Sequence, residues 1–209
     1  MKIVIFDMDG TLIDSKTDMT ISINYIRKKY YNLEALTADF VVDAINKDVR
    51  NLAKLFYNKQ TYIERDREAF EAHYAKQCTQ NSYLYDGVRE VLKELKDAGV
   101  KISVATNAPT KFAKRMLESL NVDTMFDMIL GADKIEDYKP SPLMINNILD
   151  FHNFDKNNGE AWMIGDNSKD MGSAENADIN SIFVTWGFSK FSEYKNTIAK
   201  PNQILDIVL

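Results

Sequence analysis

Apolar side chains run almost unbroken through KIVIF at the start of the chain, then change to helical spacing, then alternate between the two patterns. The opening run reads as a buried strand. After Ser15, Met19, Ile23, Ile26 and Tyr30 recur at helical intervals, and Ser15-x-x-Asp18 reads as a capping box. No glycine stands between Gly10 and Gly87, and the first of the four prolines is Pro109. This stretch without either breaker predicts a helical bundle, with further helices near 37–45, 49–58 and 61–78. From residue 83 onward, short apolar runs alternate with amphipathic ones. KISVATN (101–107), FDMILG (126–131), AWMIGD (161–166) and NSIFVTW (180–186) read as buried strands. VREVLKELKDAG (88–99) puts Val91, Leu92 and Leu95 on one helical face and stops at Gly99. Helices near 110–120, 141–151 and 168–177 fill the remaining gaps. The alternation predicts an α/β fold with a parallel sheet covered on both faces.

Parallel sheets of this kind place their chemistry at the carboxyl ends of the strands. Those ends carry Asp7 and Asp9, then Thr106 and Asn107, then Lys139 in DYKPSP, then Asp166 and Asp170 in GDNSKD. Residues two apart on an extended chain point to the same side, so Asp7 and Asp9 can face one small volume. Four carboxylates gathered there repel one another and raise some of their pKa values. A hard divalent cation relieves the repulsion, and an oxygen-rich, partly hydrated site is what Mg²⁺ prefers. Lys139 and the Thr106 hydroxyl add a cation and a donor suited to phosphate.

Composition narrows the partners. A formal charge of −5 and 45% hydrophobic residues describe a globular chain with no expected affinity for nucleic acid or an anionic membrane. One cysteine, Cys78, and two histidines, His73 and His152, make a disulfide framework or zinc site an unexpected outcome. The leading apolar run is too short for a secretion signal, and no stretch has the length of a membrane span. A cytoplasmic, soluble protein, monomer or homodimer, is expected.

In order along the chain, Asp7-Met8-Asp9-Gly10-Thr11, Thr106-Asn107, Lys139-Pro140 and Gly165-Asp166-x-x-x-Asp170 resemble the four signature motifs of the haloacid dehalogenase superfamily. The helical insertion after the first motif is similar to the cap of its phosphoglycolate-phosphatase-like branch, as are ATNAPTKFAKRMLESLNV (105–122) and VTWGF (184–188). The resemblance implies a Rossmann-like catalytic core over 1–14 and 83–209 with an inserted α-helical cap over 15–82. It implies a Mg²⁺-dependent phosphatase that acts on a small phosphorylated metabolite through an aspartyl-phosphate intermediate. Asp7 would be the nucleophile, and Asp9 the acid and then the base. Asp7, the Asp9 carbonyl and Asp166 would bind Mg²⁺, with Asp170 close behind or acting through water. Thr106 and the Asn107 amide would hold phosphate oxygens, and Lys139 would neutralise charge. A sugar phosphomutase or a non-catalytic binding protein on the same scaffold are the alternatives.

The insertion is where substrate choice is expected. Residues 15–82 hold 11 Lys+Arg against 9 Asp+Glu, leaving 15 against 22 elsewhere, a bias that suits an anionic phosphoester. Relatives of this branch often carry glycine in the loop after the second cap helix. Here AINKDVRNL (44–52) has none, and Asn46, Lys47 and Arg50 are its candidate contacts to the leaving group.

Overall fold

Ile3, Val4 and Ile5 are fully buried, and Phe6 is nearly so, as a strand flanked on both edges and covered on both faces requires. The computed structural model describes residues 1–47, 50–189 and 193–209. Its strands are β1 (Lys2–Phe6), β2 (Ile13–Asp14), β3 (Tyr83–Leu84), β4 (Lys101–Thr106), β5 (Met128–Gly131), β6 (Glu160–Gly165), β7 (Asn180–Val184) and β8 (Thr197–Ile198). Its helices are α1 (Lys16–Tyr31), α2 (Ala38–Asn46), α3 (Leu52–Tyr57), α4 (Glu64–Gln77), α5 (Val88–Asp97), α6 (Thr110–Ser119), α7 (Leu143–Phe151), α8 (Ser168–Asn176) and α9 (Gln203–Val208). The chain divides into two units: Met1–Asp14 with Leu84–Leu209, and Ser15–Tyr83.

The first unit is an α/β Rossmann-like fold. Six strands lie in the order β5-β4-β1-β6-β7-β8, every described pair parallel. Val4 stands between Ile102 and Trp162, and Phe6 between Val104 and Ile164. Ile3, Ile5, Ala105, Leu130 and Met163 pack on one face with Met144, Ile145 and Ile148 of α7 and Ala174 of α8. Alternation sends Val4, Phe6, Ile102 and Val104 to the other face, and α5 packs on β4 with Val91, Leu92 and Leu95 buried. After β1 the strand order runs outward through β4 and β5, whereas β6, β7 and β8 lie on the opposite side. The switch between β1 and β6 is where an open α/β sheet leaves a crevice at its carboxyl edge.

β7 ends at Val184, two residues earlier than the sequence pattern suggested, because Thr185 to Phe188 bend away. β8 and α9 are elements the sequence pattern does not predict: a strand of two residues gives no periodic signal, and the six residues of α9 give a weak one.

The second unit is helical. Ile23, Ile26, Val41, Ala44, Phe56 and Tyr57 form its buried cluster, with Met19 and Tyr30 partly buried against it. Buried Arg27 stitches the bundle by donating to the Glu34 carbonyl from Nε (2.9 Å) and Nη2 (2.7 Å), and to the Phe56 carbonyl from Nη1. The expected capping box is not formed. Ser15, with ψ near 0° where a capping residue is normally extended, makes no side-chain cap bond. Asp18 accepts instead from Gln77 Nε2 (2.8 Å), Asn81 N (2.9 Å) and Nδ2 (2.7 Å), and Ser82 N (2.9 Å) and Oγ (3.0 Å). The helix expected over 49–58 starts at Leu52, where Asn51 accepts from Lys54 N (2.9 Å), and ends at left-handed Asn58; Val49 lies outside the described residues. Among the described residues no helix is long and apolar enough to cross a membrane.

Candidate active site

The first motif turns sharply as it leaves β1. The Met8 carbonyl accepts from the amides of Thr11 (3.3 Å), Leu12 (2.9 Å) and Ile13 (3.0 Å). Gly10, at φ +90°, supplies the conformation this turn needs, and a Cβ there would stand 2.6 Å from the Asp166 carboxylate. Asp7 N donates to the Ile164 carbonyl (2.8 Å), so Asp7 sits beside the end of β6 at the switch point. Asp9 is half-buried, and its backbone bridges Ile13.

Lys139 gathers the cluster. Its side chain is 2% exposed, and the ammonium donates to Asp7 Oδ1 (2.6 Å), Asp170 Oδ1 (2.6 Å) and the Ala105 carbonyl (2.7 Å), which uses all three of its protons. Burial works against that charge, but Asp170 and Asp7 outweigh it and raise the Lys139 pKa. Asn107 fixes the backbone beneath, accepting from Lys139 N and donating to Lys139 O, both at 3.1 Å. The Lys139–Pro140 peptide is cis.

Asp166 and Asp170 are placed by the backbone. Asp166 Oδ2 accepts from Phe188 N (2.7 Å) and Ser189 N (3.3 Å), and Thr11 Oγ1 donates to Oδ1 (3.4 Å). Gly187 lets that loop close in, since a Cβ would lie 2.0 Å from the Gly10 carbonyl. Asp170 Oδ2 accepts from Asn167 N (3.1 Å) in the capping box that opens α8. Asp170 therefore caps its helix and pairs with Lys139 at once.

Oxygens of Asp7, Asp166 and Asp170 lie within 4.8 Å of one another. At an effective dielectric near 20, two such charges repel by about 3 kcal/mol. Burial pushes the Asp7 carboxyl well above its usual range; Lys139 draws it back, and Asp170 and Asp166 push it up again. Burial, then Asp170, raise Asp166 to about 7 against the pull of the Phe188 and Ser189 amides. Among the described residues, Lys139 is the ammonium paired with these three buried carboxylates, which leaves an excess of negative charge there, and their all-oxygen donor set fits a hard divalent cation.

Thr106, 1% exposed at the end of β4, accepts from Ala108 N (3.1 Å) through its hydroxyl. Asn46, Lys47 and Arg50 belong to the second unit: Asn46 ends α2, and Arg50 Nη1 donates to the Lys47 carbonyl (2.8 Å). Asp48 and Val49 of the same loop lie outside the described residues. Sequence reading passed over Thr11, the 187–189 backbone and the Asn107 side chain's hold on Lys139. The one available signal was a glycine directly after the strand expected over 180–186, in VTWGF.

Residues 4–184 match the family model of haloacid dehalogenase-like hydrolases, and the chain belongs to that family. The phosphoglycolate phosphatase of Colwellia psychrerythraea is 30% identical over 201 residues, covering 90% of this chain and 86% of its own. That of Aquifex aeolicus is 28% identical over 210 residues, covering 100% and 97%. Within the family the chain falls in the phosphoglycolate-phosphatase-like branch. A crystal structure of a predicted phosphoglycolate phosphatase from Haemophilus somnus shares the fold with a TM-score of 0.83 at 23% identity, covering 100% of this chain and 98% of that one.

Proposed function

We propose that this phosphatase hydrolyses a small phosphomonoester through an aspartyl phosphate on Asp7, with Mg²⁺ as its cofactor. The observation that carries the reading is the buried ammonium of Lys139 shared between Asp7 and Asp170, beside a triad of buried carboxylates.

Asp7, the Asp9 carbonyl and Asp166 would hold the metal, with Asp170 behind them; when bound, the ion supplies positive charge against the phosphoryl oxygens. The other steps fall to the chain. An Asp7 carboxylate oxygen attacks phosphorus as the bond to the leaving oxygen breaks, and Asp9 gives that oxygen its proton. Asp9 then takes a proton from water as the water oxygen bonds to phosphorus and Asp7 is released. Lys139 stabilises charge on Asp7 and on the phosphoryl group, and Thr106 Oγ1 with the Asn107 amide hold phosphate oxygens. The helical unit is assigned as a cap that gates water, with Asn46, Lys47 and Arg50 reading the leaving group. The relatives' name makes phosphoglycolate one member of the substrate panel, and the glycine-free 44–52 loop speaks against assuming it. A cytoplasmic monomer or homodimer with no nucleic-acid or membrane partner accords with the charge of −5 and the single cysteine.

The test is phosphate release from a panel of phosphomonoesters with Mg²⁺ or EDTA, beside Asp7→Asn. Release that needs metal and disappears in the variant is expected. Release that survives EDTA or the substitution contradicts the mechanism.

A further inference from the structure

α6 begins without a cap of its own. Its N-cap residue is Pro109, which has no polar side chain and makes no side-chain cap bond. The missing acceptor arrives from another loop. Asp133 Oδ1, 23 residues downstream, accepts from Thr110 N (2.6 Å) and Thr110 Oγ1 (2.7 Å). The same hydroxyl accepts from Gly131 N (3.0 Å), and Ala132 N donates to the Ala108 carbonyl (3.2 Å). Three consecutive residues, Gly131 at the end of β5 and Ala132 and Asp133 after it, thus grip the turn after β4 at Ala108 and Thr110. The fit is close: a Cβ on Gly131 would lie 2.4 Å from Thr110 N and 2.5 Å from Ala108 O.

Thr106 ends β4, and Asn107 stands between it and these anchors. The turn is tied internally by Ala108 N to Thr106 Oγ1 (3.1 Å) and tied to Lys139 by the Asn107 side chain. An acid that fixes Ala108 to Thr110 therefore fixes where the Thr106 hydroxyl and the Asn107 amide point. We propose that Asp133 is a positioning residue for the phosphate-holding turn, acting through Thr110 and never touching substrate. The inference rests on the assignment of Thr106 and Asn107 to phosphate made above. Its chemistry asks for an acceptor oxygen and not for a charge. Asn at 133 keeps an acceptor for both bonds, whereas Ala removes it.

The experiment measures kcat and KM for p-nitrophenyl phosphate, and the inhibition constant of inorganic phosphate, at low temperature. It compares wild type, Asp133→Asn, Asp133→Ala and Thr110→Val, with circular dichroism to establish that each is folded. Asp133→Ala is expected to lose between about 10- and 100-fold in kcat/KM and to bind phosphate more weakly, as a small displacement of reacting groups does. Asp133→Asn is expected to recover most of both. If Asp133→Ala does not fold, Thr110→Val decides, since it breaks the hydroxyl links while keeping the amide and the volume; a loss of the same kind, though smaller, is expected. Wild-type constants in folded Asp133→Ala, or in Thr110→Val where that variant decides, overturn the inference, as does Asp133→Asn failing as badly as Asp133→Ala. A wild-type enzyme that neither hydrolyses the ester nor binds phosphate overturns the underlying phosphatase mechanism instead.

Discussion

Two groups of buried carboxylates in this chain have opposite electrostatic fates. Asp18, in the helical unit, is fully buried and receives five hydrogen bonds from Gln77, Asn81 and Ser82. Burial works against its charge, yet those donors hold its pKa below the usual value. Asp7 and Asp166, in the sheet unit, are buried as well but crowd against Asp170, and both pKa values rise. Burial alone therefore does not mark a functional acid. What sets the sheet unit's acids apart is charge that the described residues leave partly uncompensated, the condition a bound cation would relieve under the proposed function.

The comparison breaks most visibly in turnover. Asp7→Asn removes the proposed nucleophile, and kcat should fall by at least ~10³-fold, read as phosphate release. An Asp18→Asn enzyme assayed while folded should keep its kcat, because that acid completes a helix bundle. Next in size is Lys139→Met, which strands Asp7 and Asp170 without a cation. A loss of about 3–5 kcal/mol is expected in urea melts with EDTA at neutral pH, and less at pH 5, where Asp7, its pKa raised by burial, is protonated. The smallest effect belongs to Asp18→Asn itself, about 2 kcal/mol of stability from weakened charge-assisted bonds. Its sign with pH is fixed: a lowered folded pKa stabilises above the ordinary carboxylate range, and that contribution disappears as pH falls through it. A wild-type melt whose Asp18-dependent part grew on acidification would contradict the assignment.

Much of this was legible in the sequence, for physical reasons that differ by residue. The run at Ile3 to Phe6 announced a strand buried on both faces, and the strand-end rule then brought Asp7, Lys139, Asp166 and Asp170 to one edge of the sheet. Contacts made by backbone were not legible. The Phe188 and Ser189 amides that hold Asp166 have no side-chain signature, and neither does the Ala132 amide that grips Ala108. Ser15-x-x-Asp18 had the spacing of a capping box but not its backbone conformation, and Asp18 turned to donors some 60 residues downstream. Asp133 was invisible for the same reason: it caps a helix that starts 23 residues before it.

The central claim is that the Asp7–Asp166–Asp170 cluster is incomplete without a cation. Its most direct test is thermal melting of the wild type and Asp166→Asn at pH 5 and pH 8, with and without MgCl₂. An acid whose folded pKa is raised, to about 7 for Asp166, costs the metal-free fold stability as pH climbs from near 4 through 7. Mg²⁺ should therefore stabilise the wild type at pH 8, by about 1.4 kcal/mol at tenfold over its dissociation constant. At pH 5 the gain should be small, and in Asp166→Asn it should largely vanish. A wild type indifferent to Mg²⁺ at pH 8, or stabilised as much in the variant, would contradict the account.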